Sequence, residues 1–198
     1  MPRRLLVVVL AVAACASGTA LAQSGVAQSS VAQSSVKNWG KAVVQYTSAD
    51  VTGVVSYEYA QRNHDTPWLI TQMAFQPTRR VELKRDQFAL ITPDGRRLPL
   101  ASRKEMGAER AVVAHLSQQA AVATSDLMPY FSAPLVNRIP FSHTKSAFIS
   151  DVGAYASPDE PAVGVLMFRS PEGRWAPGTY RLVFTHEKAK AEFPLELK

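Results

Sequence analysis

Residues Thr179-Tyr180-Arg181-Leu182-Val183-Phe184-Thr185 and Ala189-Lys190-Ala191-Glu192-Phe193-Pro194-Leu195-Glu196-Leu197 are separated by only three residues and read as the two strands of a hairpin. Successive side chains of a strand point to opposite faces. In the second strand Ala189, Ala191, Phe193, Leu195 and Leu197 therefore share one face, and Lys190, Glu192 and Glu196 share the other. A strand with one apolar and one charged face suits an antiparallel sheet that is core on one side and water on the other.

Working upstream, the same signal recurs. Ala162 to Arg169 (AVGVLMFR) reads as a strand, and Phe141 to Ile149 as a weaker one. Thr52 to Ala60 (TGVVSYEYA) and Trp68 to Gln76 (WLITQMAFQ) are rich in β-branched and aromatic residues and flank the polar turn Asn63-His64-Asp65-Thr66-Pro67, which predicts a hairpin. Arg80 to Lys84 alternates charged and apolar residues. Gln87 to Thr92 (QFALIT) leads through Pro93-Asp94-Gly95 into a returning strand over Arg96 to Leu100, because glycine accepts the positive φ of a tight turn. One segment departs from this pattern. From Ser102 to about residue 126, Met106, Val113, Leu116, Ala120 and Ala123 recur at helical spacing, and Ser102 with Glu105 forms a capping box, so a helix is expected there. Met128-Pro129 is expected to end it.

The run Gly173-Arg174-Trp175-Ala176-Pro177-Gly178-Thr179-Tyr180-Arg181-Leu182, placed just before a terminal strand, resembles the closing hairpin of many extracytoplasmic immunoglobulin-like sandwiches. That resemblance spans about 30 residues and bears on fold class alone. The expectation is a mainly β chain: one antiparallel immunoglobulin-like β-sandwich over 39–198, with one helical insertion at about 102–126.

The N-terminus carries a different message. Arg3 and Arg4 precede an apolar run from Leu5 to Ala14, followed by Ser17-Gly18-Thr19, the order of a secretory signal peptide. The run is short of the roughly 20 apolar residues that span a bilayer. Cleavage after Ala20-Leu21-Ala22 makes residues 1–22 the signal peptide and Gln23 the first mature residue. A second site, Val12-Ala13-Ala14-Cys15, resembles a bacterial lipobox and makes Cys15 a candidate lipid attachment point. Both alternatives stay open, and in either case no second cysteine exists to form a disulfide. Three near-identical units, Leu21 to Gly25, Val26 to Ser30 and Val31 to Ser35, make 23–38 a flexible low-complexity tail. With Cys15 acylated, the stretch from Cys15 to about Val36 is a tether of roughly 25 Å root-mean-square reach. Removing 1–22 takes away Arg3 and Arg4 and no acid, so the formal charge falls from +6 to +4. A mildly basic exported domain suits anionic envelope surfaces, and export makes nucleic acid an unsuitable partner.

No stretch carries a specific catalytic or cofactor signature, so no catalytic residue, metal ligand or cofactor is assigned. His186-Glu187-Lys188-Ala189-Lys190 begins like the helical zinc-protease motif, but lysine stands where the second histidine is required. His64, His115 and His143 are scattered. Ser142-His143-Thr144-Lys145 fits Ser-x-x-Lys, yet so does Ser34-Ser35-Val36-Lys37 in the tail, and the partner motifs are absent. The densest charge feature is a set of basic pairs. Arg79, Arg80, Arg96, Arg97 and Arg103 are candidate contacts to an anionic surface, while Glu82, Asp86, Asp94 and Glu105 among them favour a solvated sheet face guarded by charge. Trp39, Trp68 and Trp175 suit a sugar platform or packing within the sandwich. The expected role is an exported envelope binding or structural accessory protein, periplasmic, secreted or lipid-anchored through Cys15, whose partner is an envelope component or another protein. The alternative is an envelope hydrolase or carbohydrate-active enzyme whose site assembles only in the fold.

Overall fold

A computed structural model describes residues 34–133, 135–142, 153–187 and 189–198. The signal peptide, Cys15, residues 23–33 of the tail, His143, Lys145 and all but the first two residues of the strand expected over Phe141 to Ile149 lie outside the described residues. In chain order the elements are β1 (Ser35–Trp39), β2 (Val43–Thr47), β3 (Val51–Ser56), α1 (Glu58–Arg62), β4 (Trp68–Pro77), β5 (Val81–Leu83), β6 (Phe88–Ile91) and β7 (Arg97–Pro99). They continue with α2 (Arg103–Ala108), α3 (Arg110–Ala123), β8 (Asn137–Ile139), β9 (Ala154–Ala156), β10 (Ala162–Arg169), β11 (Gly178–His186) and β12 (Ala189–Leu197).

The chain is mainly β with antiparallel sheets. Six strands follow the order β1-β2-β3-β4-β10-β8, four follow β12-β11-β6-β7, and β5 pairs with β9. The short β8–β10 pairing is parallel. The closing hairpin forms in the register its alternation demands, with Leu182 opposite Phe193 and Phe184 opposite Ala191. Ala191, Phe193, Leu195 and Leu197 are buried, whereas Lys190 and Glu196 are exposed. Their buried face meets the inner face of the larger sheet in one core, to which Val55, Met73, Phe75, Leu166 and Phe168 contribute from the other side. The rings of Phe75 and Phe184 lie 4.5 Å apart across it. Gly53 on β3 is required by this packing, since a Cβ there would sit 2.6 Å from a ring carbon of Phe193. Each such buried side chain stabilises the fold by about 1.5–3 kcal/mol of apolar transfer free energy.

The larger sheet corrects the expectation of a half-solvated sheet. On β4, Leu69, Met73 and Phe75 face the inner core, while Trp68 and Ile70 face a second core with Met106, Val113, Leu116 and Ala120 of α2 and α3. Farther along, Ala74 lies with Val54 and Val43 under Leu127 and Phe131. Apolar residues at successive positions, rather than at every other one, are what a strand buried on both faces requires.

The helical insertion is present as two helices. Ser102 caps the first as expected: its Oγ accepts from the Glu105 amide at 3.2 Å, and the Glu105 carboxylate accepts from the Ser102 amide at 2.7 Å. Glu109 breaks the run between α2 and α3. Its carboxylate accepts from Trp68 Nε1 at 2.7 Å and from Arg169 Nη2 at 2.6 Å, which ties the break to β4 and β10. The helix ends at Ala123, earlier than expected, and Met128–Tyr130 is a separate 3-10 turn.

Two further expectations change. Thr52 to Ala60 is not one strand, because Glu58–Arg62 is a short helix that buries Tyr59 and Ala60. Residues 35–38, read as part of the flexible tail, belong to β1 and pair with β2 from Ser35 opposite Thr47 to Trp39 opposite Val43. All five β1 side chains are exposed, so this edge strand is held mainly by backbone hydrogen bonds, with Trp39 Nε1 donating to Gln45 Oε1 at 2.8 Å, and its sequence carries no apolar periodicity.

Candidate functional site

Of the five arginines singled out in the sequence, the structure brings two to one cleft. Arg79 and Arg80 follow β4 and, with Asp50, Pro77, His186 and Glu187, rim a cleft of about 420 Å³. Its floor includes Val51, Phe75 and Phe184, so it opens directly above the inner core. Arg79 lies 3.8 Å from Asp50, and both side chains are mostly exposed, so the pair is weak. The Arg80 guanidinium sits 4.6 Å from the centre of the Tyr155 ring. His186 stacks nearly parallel on Phe184 at 6.4 Å. Glu187, at the turn from β11 to β12, has φ of +44°, a left-handed conformation unusual for a side chain other than glycine, asparagine or aspartate.

Arg96, Arg97 and Arg103 do not line this cleft. Arg96 Nε lies 2.6 Å from Asp94, and its Nη2 lies 2.6 Å from Glu172. Hydrogen bonding to Thr92 and then to Arg96 holds the Asp94 carboxyl below its usual range, and bonding to Glu172 and Asp94 raises Arg96. This network borders a separate cleft of about 290 Å³ that Trp175 and Tyr180 also line. Arg97 is exposed on β7, and Arg103 is exposed at the start of α2. Among the other basic residues, Arg85 turns inward and donates to the carbonyls of Phe141 and Ala101, both at 2.5 Å, while Lys84 pairs with Glu82 at 3.2 Å.

A third cleft, of about 500 Å³, went unseen in the sequence because its parts come from three distant segments. Asn38 reaches it from β1, Lys41 from the link between β1 and β2, Tyr57, Gln61 and Arg62 from α1 and the residue before it, and Glu196 from β12. The Lys41 carbonyl accepts from the Tyr57 hydroxyl at 3.4 Å and from Gln61 Nε2 at 3.3 Å. Gln61 Nε2 also lies 3.5 Å from the carbonyl of Glu196. Burial raises the pKa of the Tyr57 hydroxyl, so it stays a neutral donor.

Among the described residues the fold shifts carboxyl groups and tyrosine hydroxyls in opposite directions. Asp94, Glu105, Glu109 and Glu192 are all held below the usual carboxylate range, chiefly by hydrogen bonds from Thr92, Ser102, Trp68 and Lys190 respectively. Burial pushes up the hydroxyls of Tyr57, Tyr59 and Tyr180. General acid catalysis near neutrality needs a carboxyl shifted the other way. These groups are tuned to stay charged, or to stay neutral, in hydrogen bonds and ion pairs.

Ser142 is buried, and the lysine of its Ser-x-x-Lys pattern lies outside the described residues. His115 is exposed on α3, and the His64 carbonyl accepts from the Trp175 amide in the turn that precedes β4. Among the described residues no three or more of His, Cys, Asp and Glu gather as metal ligands would. The tryptophans form no common platform: Trp68 and Trp175 are buried in different cores, and Trp39 stacks edge-on against Tyr130 at 5.6 Å. Comparisons with protein-family models, curated proteins and solved structures find no match to this chain.

Proposed function

We propose that the chain is an exported cell-envelope accessory protein that binds anionic envelope material at the mouth of an immunoglobulin-like sandwich, through Arg79 and Arg80. The observation that carries this reading is the Arg79–Arg80 cleft, where two adjacent guanidinium groups stand exposed over an apolar floor, with Asp50 only loosely engaged. Arg96 is a poorer contact, because Asp94 and Glu172 already occupy it. The immunoglobulin-like form is supported by two sheets facing across one core. A second support is the Tyr180 hydroxyl, which donates to the Ala176 carbonyl at 2.9 Å near the start of a late strand. The additional strands and the helical layer on the outer face are elaborations of that plan.

Co-sedimentation with vesicles of phosphatidylglycerol in phosphatidylcholine tests the contact. Binding is expected at about 50 mM salt and should weaken several-fold near 200 mM as screening grows. Arg79→Gln with Arg80→Gln should remove most of it, and Arg96→Gln little. Binding insensitive to both salt and the double substitution would overturn the reading. Intact mass of the protein from its native host tests export: a start at Gln23, or an acylated Cys15, is expected, and retention of residues 1–22 in the mature protein would refute it.

A further inference from the structure

We propose that the cavity bounded by the β1–β2 link, α1 and the end of β12 is a binding site for a small oxyanion, a phosphate or carboxylate group carried by a polar small molecule, held by Lys41 and Arg62. The site goes beyond the envelope contact and does not depend on it. Its volume, about 500 Å³, falls within the range of small-molecule sites.

Charge singles out this cavity. At the end of β12, Glu196 and Lys198 add one acidic and one basic side chain to the lining. That leaves Lys41 and Arg62, and among the described residues neither has an ion-pair partner. Glu58 stands one helical turn before Arg62 and would be its natural partner. It is turned instead to Ser125, accepting from its amide at 3.3 Å and its hydroxyl at 2.9 Å. The other two arginine clefts hold acids near their cations: Asp50 for Arg79, and Asp94 with Glu172 for Arg96. An added anion therefore gains most at Lys41 and Arg62.

The cavity is also held in shape. The hydrogen bonds from Tyr57 and Gln61 to the Lys41 carbonyl fix the β1–β2 link against α1, so the backbone that carries Lys41 is held beside the helix that carries Arg62. A guanidinium offers two parallel donors to an oxyanion, and an ammonium adds a compact charge beside it. Asn38 and Gln61 supply neutral groups for the remainder of a polar ligand.

The test is amide chemical-shift titration of the full mature chain with inorganic phosphate and, separately, with succinate, each at constant ionic strength set by sodium chloride. Saturable shifts are expected at Lys41, Tyr57, Gln61 and Arg62. A response to phosphate alone assigns a phosphorylated ligand, and a response to succinate alone a carboxylated one. Lys41→Gln with Arg62→Gln should weaken binding about tenfold or more, while Lys41→Arg should retain most of it. The Arg79→Gln, Arg80→Gln variant should bind the small anion as the unchanged protein does, although it loses vesicle binding. No saturable shift with either anion would overturn the proposal. So would equal affinity in the Lys41, Arg62 variant, or loss of affinity in the Arg79, Arg80 variant.

Discussion

The two large sheets share a core but differ in what covers their other faces. The six-stranded sheet carries helices α2 and α3 and the Leu127–Phe131 segment on its outer face, so β4 is buried on both sides. The outer face of the closing hairpin in the four-stranded sheet presents Arg181, Thr185, Lys190 and Glu196 to water. Each face has a carboxylate network, and the surroundings set its value. On the covered face Glu109 joins Trp68 and Arg169 at the foot of the helices. On the open face Glu192 lies 3.0 Å from Arg181 across the hairpin and 2.5 Å from Lys190 on its own strand. The first network fixes one layer to another. The second spans strands already held by nine paired positions, and exposed ion pairs of this kind contribute about 0–1 kcal/mol.

The contrast breaks most decisively at Trp68. Trp68→Ala removes a fully buried side chain and the donor to Glu109, and should cost about 3–5 kcal/mol in denaturant unfolding, a loss similar to that from Phe193→Ala in the inner core. A loss below about 1 kcal/mol would mean that the helices contribute little to the fold. Glu109→Gln should cost less, about 1–2 kcal/mol. It also has a pH signature. The Glu109 carboxyl is held below its usual value of 4.5 by hydrogen bonds from Trp68 and Arg169, so its contribution is present above that value and is lost as pH falls through the lower folded value. The variant should therefore lose less stability than the unchanged protein on acidification below about pH 4.5, and equal acid sensitivity would argue against the network. Ser102→Ala, which removes the cap of α2, should cost about 1 kcal/mol. Arg181→Ala on the open face should change stability by no more than about 0.5 kcal/mol, and a larger loss would show that the exposed network does more than its geometry implies.

The same contrast explains what the sequence disclosed. The closing hairpin was legible because one of its faces meets water, and the alternation from Ala191 to Leu197 records that directly. The capping box at Ser102 was legible because it is a local contact spanning three residues. β4 was recognised as a strand, but its double burial was not, since a run such as WLITQMAF fixes no side until the layers above and below are known. β1 was missed because none of its side chains is buried. Of the candidate site, Arg79 and Arg80 are neighbours in sequence and stay together in the fold. Arg96 carries the same charge in sequence with Asp94 as a local partner, and the approach of Glu172, 76 residues away, shows only in the fold. Lys41 and Arg62 have nothing local to mark them, because their meeting depends on the β1–β2 link folding against α1.

The exposed edge strand β1 also has a mechanical meaning. A pull on the chain from its N-terminal side arrives first at Ser35, the open end of the β1–β2 ladder and the end farthest from the link at Gly40. The load meets the hydrogen-bonded pairs one after another instead of shearing them together. No buried side chain in the strand resists the peeling. Tension would thus strip β1 toward Trp39 before it disturbs the core, and the next part of the chain to be drawn away would be the link that carries Lys41.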